Sequence, residues 1–103
     1  MTFSVTTLAG SSESAPSDSR LREILDELNS PDPEHSDVSL THESEWCLSA
    51  FRSGRLVWEN LEHGAPRHMR NVPRERVLDL WKALALGHID QVDKEPWLPG
   101  HGD

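Results

Sequence analysis

The chain has 103 residues, with 18 acidic and 10 basic side chains, so its formal net charge is −8. This length gives room for one domain with a modest hydrophobic core, and no apolar run is long enough to cross a membrane. One cysteine, Cys47, excludes an intrachain disulfide. The first residues lack the basic start and long apolar centre of a signal peptide. We therefore expect a cytoplasmic protein in a reducing compartment.

The first seventeen residues predict an edge strand followed by a flexible linker. Thr2 to Leu8 alternates and is rich in β-branched residues, which is typical of an edge strand, with a frayed terminus as the alternative. Ala9 to Ser17 is small, polar and interrupted by proline, which is typical of a linker. We therefore divide the chain into this segment (1–17), one domain (18–98) and a disordered tail (99–103).

The first helix is predicted from about residue 18 to Asn29, with Asp18 or Ser19 as its cap. Its apolar residues recur at the spacing of one helical face, which we expect to pack on a sheet. They are Leu21, Ile24, Leu25 and Leu28. Prolines at 31 and 33 end the helix.

Residues 37–61 predict a three-stranded antiparallel meander. A three-residue loop ending at Gly54 places Ala50 opposite Leu56 and Leu48 opposite Trp58. Burial selects this loop, because a shift of one residue would scatter the apolar side chains over both faces.

The first turn of the meander leads to the same buried face. A loop of Glu43, Ser44 and Glu45 places Val38 against Ala50 and Leu40 against Leu48. This loop requires an unfavourable backbone at Glu45, so a longer or bulged turn is the alternative. The opposite face is mixed and carries Cys47, Ser49, Phe51, Arg55, Val57 and Glu59. Phe51 and Val57 on that face offer a contact for a homodimer.

The remaining third of the chain predicts a short strand, a helix and an extended tail. Arg67 to Val72 is polar enough for an edge strand, with His68 and Arg70 pointing away from the core. The second helix begins at Pro73, ends near Gly87 and buries Val77, Leu80, Trp81 and Leu84. One helical turn then buries Ile89 and Val92, and Trp97 folds back on the core. The predicted fold is α+β: a three- or four-stranded antiparallel meander with two amphipathic helices packed on one face.

No residue pattern of a common enzyme is present, whether a glycine-rich phosphate loop, GxSxG or HExxH. Glu62, His63 and His68 form the tightest group of possible metal ligands, but structural zinc usually takes four ligands that include paired cysteines. Cys47 faces Glu59, whose charge raises a thiol pKa. We expect a protein without catalytic, cofactor or metal site.

Three segments, LREILDELNS, CLSAFRSGRLVWENL and VPRERVLDLWKAL, give the chain its order of elements. In this order, and in its small size and acidity, the chain resembles bacterial immunity-type proteins that neutralise polymorphic toxins by tight binding. The resemblance implies a non-catalytic role, in which acidic side chains meet a basic surface of the toxin.

Two groups of side chains are candidates for binding a partner. The acidic candidates are Glu34, Asp37, Glu43 and Glu45, and those at the strand-helix junction are Arg67, His68, Arg70 and Arg74. The alternative function is association with nucleic acid through the segment from Arg67 to Arg76, against which the net charge of −8 argues.

Overall fold

The structure, a computed structural model, describes residues 2–29, 37–62 and 64–102. Along the chain the elements are β1 (Phe3–Thr6), β2 (Ser12–Ser14), α1 (Asp18–Asp26), β3 (Asp37–His42), β4 (Trp46–Phe51), β5 (Leu56–Asn60), β6 (Arg67–Met69), α2 (Arg74–Ala85), α3 (Ile89–Asp93) and β7 (Leu98–Pro99). A 3₁₀ turn, Glu27–Asn29, continues α1. The strands form one antiparallel sheet in the order β2-β1-β3-β4-β5-β6-β7. The α+β class is confirmed, but the described residues form seven strands and three α-helices, more than predicted.

The helices pack on one face of the sheet, which we call the inner face. The predicted apolar faces of α1 and α2 are both buried against it, so the helical periodicity is confirmed. Trp81 of α2 is fully buried, and its indole N–H donates to the carbonyl oxygen of Leu48 at 3.0 Å. None of the helices in the described ranges is long and apolar enough to cross a membrane.

The predicted register of the meander is confirmed. Leu40 pairs with Leu48, which in turn pairs with Trp58, and Val38 and Leu56 both pair with Ala50. The first turn has the conformation that the register requires, because Glu45 has a φ angle of 73°.

The second turn closes as a three-residue loop ending at Gly54, whose φ angle is 91°. The N–H of Val72 donates to the carbonyl oxygen of Gly54 at 2.9 Å. A Cβ at this position would lie 3.4 Å from the Cα of Asn71. The turn therefore requires glycine for its conformation and for the close approach of the next turn.

Replacing Gly54 by alanine is expected to lower the free energy of unfolding by about 1–2 kcal/mol, the usual cost of a left-handed residue with a Cβ. Urea denaturation followed by circular dichroism measures this change. Gly10 is the matched control, because it also has a positive φ angle of 87° but nothing within 4 Å of its Cβ position. A larger loss for Gly10→Ala than for Gly54→Ala would contradict the role of the close approach.

The amino-terminal segment forms a hairpin instead of one edge strand and a flexible linker. β1 lies between β2 and β3, so the edge is β2, inside the predicted linker. Glu13 of β2 reaches α1, where its carboxylate accepts from the Arg20 guanidinium, and this bond lowers the pKa of Glu13. The cap of α1 is Ser17, one residue before the predicted cap: its hydroxyl accepts from the Arg20 N–H at 3.2 Å. β2 could not be predicted from apolar alternation, because its sequence, Ser-Glu-Ser, has no apolar residue.

The carboxyl-terminal segment also differs from the prediction. β7 pairs with β6, so β6 is not an edge strand, and residues 101 and 102, predicted to be disordered, lie on the outer face of the sheet. The His68 ring is on that face as predicted, but it is buried, with Nδ1 3.0 Å from the Gly100 carbonyl oxygen. Val57 is buried on the same face, 2% exposed, and therefore offers little apolar surface for the predicted homodimer contact.

Candidate functional site

The turn between β3 and β4 brings two of the predicted acids to one cavity. The cavity has a volume of about 300 Å³ and is lined by Thr2, Phe3, Ser4, Ser14, Thr41, His42, Glu43 and Glu45. These described lining residues supply two carboxylates and four hydroxyl groups, and no lysine or arginine. We call this site the acidic corner. Its chemistry suits a cation or a hydrogen-bond donor.

The acidic corner is built by the pairing of β1 with β3, which places the start of the chain beside the turn. The N–H of Glu43 donates to the Thr2 carbonyl oxygen at 3.0 Å, and the N–H of Thr2 donates to the Glu43 carboxylate at 3.3 Å. Ser4 pairs with both Thr41 and Ser14, so the three hydroxyl groups share the outer face. The alternation of residues along β1 is visible in the sequence. The sequence does not show that β1 pairs with β3, which is what brings the hydroxyl groups of β1 next to Glu43.

Glu45 occupies the left-handed backbone position of the turn, where glycine or asparagine is favoured. Its N–H donates to the His42 carbonyl oxygen, and its own carbonyl oxygen accepts from the N–H of Leu61, both at 2.9 Å. These backbone bonds would form equally with glycine. Neither bond involves the glutamate side chain.

His42, which also lines the acidic corner, has an unsatisfied donor. The backbone N–H of Ser44 donates to Nδ1 at 3.1 Å, so Nδ1 is the acceptor and the proton of the neutral ring is on Nε2. The side chain is buried, 6% exposed, and Nε2 has no partner within the described part of the chain. Leaving a buried donor unpaired costs about 1–3 kcal/mol. An acceptor supplied by a ligand would remove that cost.

The other two predicted acids are not part of the acidic corner. Asp37 is exposed at the opposite end of β3, roughly 17 Å away at the ordinary rise of a strand. Glu34 lies outside the described residues. The structure therefore joins Glu43 and Glu45, and separates Asp37 from them.

Ion pairs neutralise part of the positive charge of the predicted basic segment. Arg67 binds Asp93 at 2.5 Å, and Arg76 binds Glu95 at 2.6 Å. The pKa of Asp93 is lowered, chiefly because the indole N–H of Trp58 donates to it and also because of Arg67. Two of the six arginines between residues 46 and 76 are therefore neutralised by acids from the last third of the chain.

Arg70 and Arg74 bind main-chain carbonyl oxygens instead of carboxylates. Arg70 donates to Gly102 at 2.6 Å and Arg74 donates to the carbonyl of Arg52 at 3.2 Å. Within the described chain, neither guanidinium lies within 4 Å of a carboxylate. No described carboxylate therefore compensates the positive charge of either side chain.

The two charged regions lie at opposite ends of the sheet. The acidic corner lies at the turn before β4, whereas Arg70 adjoins the turn after β4, to which Val72 is bonded. The six residues of β4 separate these turns by roughly 17 Å. Glu43 and Arg70 therefore lie at opposite ends of β4, and the exposed Asp37, which pairs with Phe51, lies at the same end as Arg70.

Two other residues weighed from the sequence, Cys47 and Trp58, are buried. Burial raises the pKa of the Cys47 thiol, and the charge of Glu59 adds to this rise, as predicted. Trp58 is fully buried and stacks on Trp46, with a ring separation of 4.5 Å, so it belongs to the core and not to a surface for nucleic acid bases. Among residues 2–29, 37–62 and 64–102 no three histidine, cysteine or acidic side chains form a metal-binding group. The group weighed from the sequence as possible metal ligands includes His63, which lies outside those ranges.

Comparison of the chain with models of protein families, with curated proteins and with solved structures gives no match.

Proposed function

We propose that this chain is a non-catalytic protein-binding module, of the immunity or inhibitor type, whose acidic corner binds a basic partner. The observation that carries the proposal is that Glu43 and Glu45 line one cavity together with four hydroxyl groups, and that its described lining residues include no lysine or arginine. A lysine or arginine of a partner would find carboxylate and hydroxyl acceptors in that cavity. Arginine in particular binds carboxylates through two parallel hydrogen bonds.

The net charge of −8 also favours attraction between the chain and a basic partner. A field of this sign raises the rate at which a basic protein meets the chain, and salt screens it over about 10 Å at 0.1 M. The unfavourable backbone of Glu45 also supports the proposal, because residues in sparsely populated backbone conformations cluster at functional sites.

Capture from the native lysate at low and moderate salt tests this function. The bait is the full chain, compared with the same chain carrying Glu43→Lys and Glu45→Lys. We expect one stoichiometric basic protein with the natural chain, less of it as salt rises, and none with the charge-reversed chain. Equal capture by both baits, or background alone with each, would count against the proposal.

A second candidate is association with nucleic acid through the segment from Arg67 to Arg76. The charges of Arg70 and Arg74, which no described carboxylate compensates, favour it, whereas the ion pairs of Arg67 and Arg76 weaken it. Salt-dependent retention of a DNA or RNA oligonucleotide would support this alternative.

A further inference from the structure

The two edges of the sheet differ in how they are protected against a further strand. β7 has two residues, one of which is Pro99, and proline has no N–H to offer to a neighbouring strand. β2 has three residues, Ser12–Ser14, and among the described residues it has a neighbouring strand, β1, on one side only. Ser12 and Ser14 are exposed. We call the other side of β2 the open edge.

The hydrogen bonds to the β1 segment show which backbone groups of β2 face the open edge. Ser11 and Ala15 form main-chain hydrogen bonds of 2.8 and 2.9 Å with the residue after β1 and with the first residue of β1. Bonded residues alternate along an antiparallel ladder, so Glu13 is also bonded to β1. The N–H and C=O groups of Ser12 and Ser14 therefore point away from β1. These four groups are placed to pair with an added strand.

Charge does not protect the open edge. A charged side chain on an edge strand usually prevents the addition of another strand, and the charged residue of β2 is Glu13. Glu13 pairs with Val5, which is buried in the core, so its side chain lies on the inner face. There its carboxylate accepts from Nε of Arg20 at 2.9 Å. The ion pair neutralises Glu13 and fixes β2 against α1, so the open edge is ordered before any partner binds.

The open edge is continuous with the acidic corner. Ser14 lines that cavity, and it pairs with Ser4, so its side chain lies on the outer face. In a strand added beside β2, the residue opposite Ser14 would project from the same face. The Glu43 carboxylate accepts from the N–H of Thr2, beside β1, about two strand spacings or 10 Å from the added strand. The long side chain of a lysine or arginine covers most of that distance.

From this arrangement we propose that the partner binds through an extended segment that adds as a further strand beside β2 and directs a lysine or arginine over the acidic corner. Main-chain hydrogen bonds give an added strand its affinity, and its alternate side chains give specificity. The basic residue lies opposite Ser14, and the residue two positions away lies opposite Ser12. A second copy of the chain fits less well, because each copy has a net charge of −8. The inference rests on the proposed function and names the conformation of the partner segment.

Titration of the full chain with the peptide acetyl-Thr-Val-Arg-Val-Thr-amide tests the proposal, because this sequence has the required alternation in either direction. Amide chemical shifts in heteronuclear NMR spectra locate the site. We expect saturable shifts in residues 11–15 and 43–45, with a dissociation constant on the order of 1 mM. Absence of saturable shifts in residues 11–15 would overturn the proposal. Shifts there that depend on the concentration of the chain alone would assign the open edge to a second copy and overturn it equally.

Ser12→Pro separates the open edge from the acidic corner, because Ser12 is not among the residues that line the cavity. Proline removes an N–H that faces the open edge and keeps the hydrogen bonds between β2 and β1. We expect the peptide to bind about tenfold less tightly. Ser12→Ala is the matched control, and its affinity for the peptide should be unchanged. Equal affinities of the two variants would overturn the addition of a strand.

Two modified peptides give a test that leaves the chain unchanged. N-methylation of the arginine removes the donor that pairs with the Ser14 carbonyl oxygen in an antiparallel strand, and about tenfold weaker binding is expected. Glutamine in place of the arginine removes the charge and keeps that donor. Equal affinities for the arginine and glutamine peptides would count against the proposed function. Equal affinities for the methylated and unmethylated peptides would overturn the addition of a strand.

Discussion

Replacing Trp58 by alanine is expected to lower the free energy of unfolding by about 3–5 kcal/mol, a large part of the 5–15 kcal/mol typical of a domain. The side chain is fully buried and stacks between Trp46 and Trp97, with ring separations of 4.5 and 6.1 Å. Its indole N–H also joins β5 to α3 by donating to Asp93 at 3.0 Å. Urea denaturation followed by far-ultraviolet circular dichroism measures the loss.

Trp58→Phe separates the packing of the ring from its hydrogen bond. Phenylalanine keeps most of the buried surface but cannot donate, so we expect a smaller loss of stability than with alanine and a rise in the pKa of Asp93. The depressed pKa of Asp93 contributes stability that is present above its unfolded value of about 3.9 and is lost as the pH falls through the folded value. The phenylalanine variant should therefore lose less stability on acidification.

Leu98→Ala is the control for Trp58, because Leu98 is 51% exposed. We expect a change close to zero, as is usual for a surface position. A loss from Leu98→Ala as large as that from Trp58→Ala would contradict the placing of the core around Trp58.

The meander could be predicted from the sequence because two independent constraints agree. Gly54 limits the second turn to a few loop lengths, and only one register then places Leu48, Ala50, Leu56 and Trp58 on one face. The helical faces were predictable for a similar reason, since their period depends on local geometry alone.

The outer strands could not be predicted because their stabilising contacts are distant in sequence. β2 is held by β1 and by the bond from Glu13 to Arg20, and β7 is held by β6. Neither strand has apolar alternation, and β7 contains a proline. The burial of His68 depends in turn on the tail residues that follow β7.

The candidate site was predictable only in part. Glu43 and Glu45 were selected because their turn is exposed and acidic, but two of their four hydroxyl neighbours, Thr2 and Ser4, come from about forty residues earlier in the chain. The charge pattern suggested that the arginines could pair with acids of the amino-terminal half, whereas Arg67 and Arg76 pair with Asp93 and Glu95. Ion pairs between distant residues follow from the packing of α3, which no local pattern determines.

Replacing Glu43 and Glu45 together by glutamine is expected to weaken binding of the captured partner about 100-fold. This prediction depends on the proposed function. Each carboxylate is assigned one charged hydrogen bond, and losing two costs roughly 3 kcal/mol. Isothermal titration calorimetry at two salt concentrations measures the change, and the affinity of the double variant should depend less on salt.

Asp26→Asn with Asp79→Asn is the matched control for this double variant. It changes the net charge equally, but at exposed positions of α1 and α2. We expect only a small loss, since long-range attraction contributes less than direct contact. A loss equal to that of the glutamine pair would mean that the partner responds to net charge and not to the acidic corner.

Glu45→Gly separates binding from folding, because the two are expected to change in opposite directions. Glycine accepts the φ angle of 73° without strain and keeps both backbone hydrogen bonds of the turn, so the free energy of unfolding should rise by about 1 kcal/mol. Partner binding should fall about tenfold, because one carboxylate is lost. A variant that is more stable and binds as tightly as the natural chain would remove Glu45 from the interface. A variant that is more stable but binds less tightly would show that the chain keeps a strained glutamate in this turn for its partner.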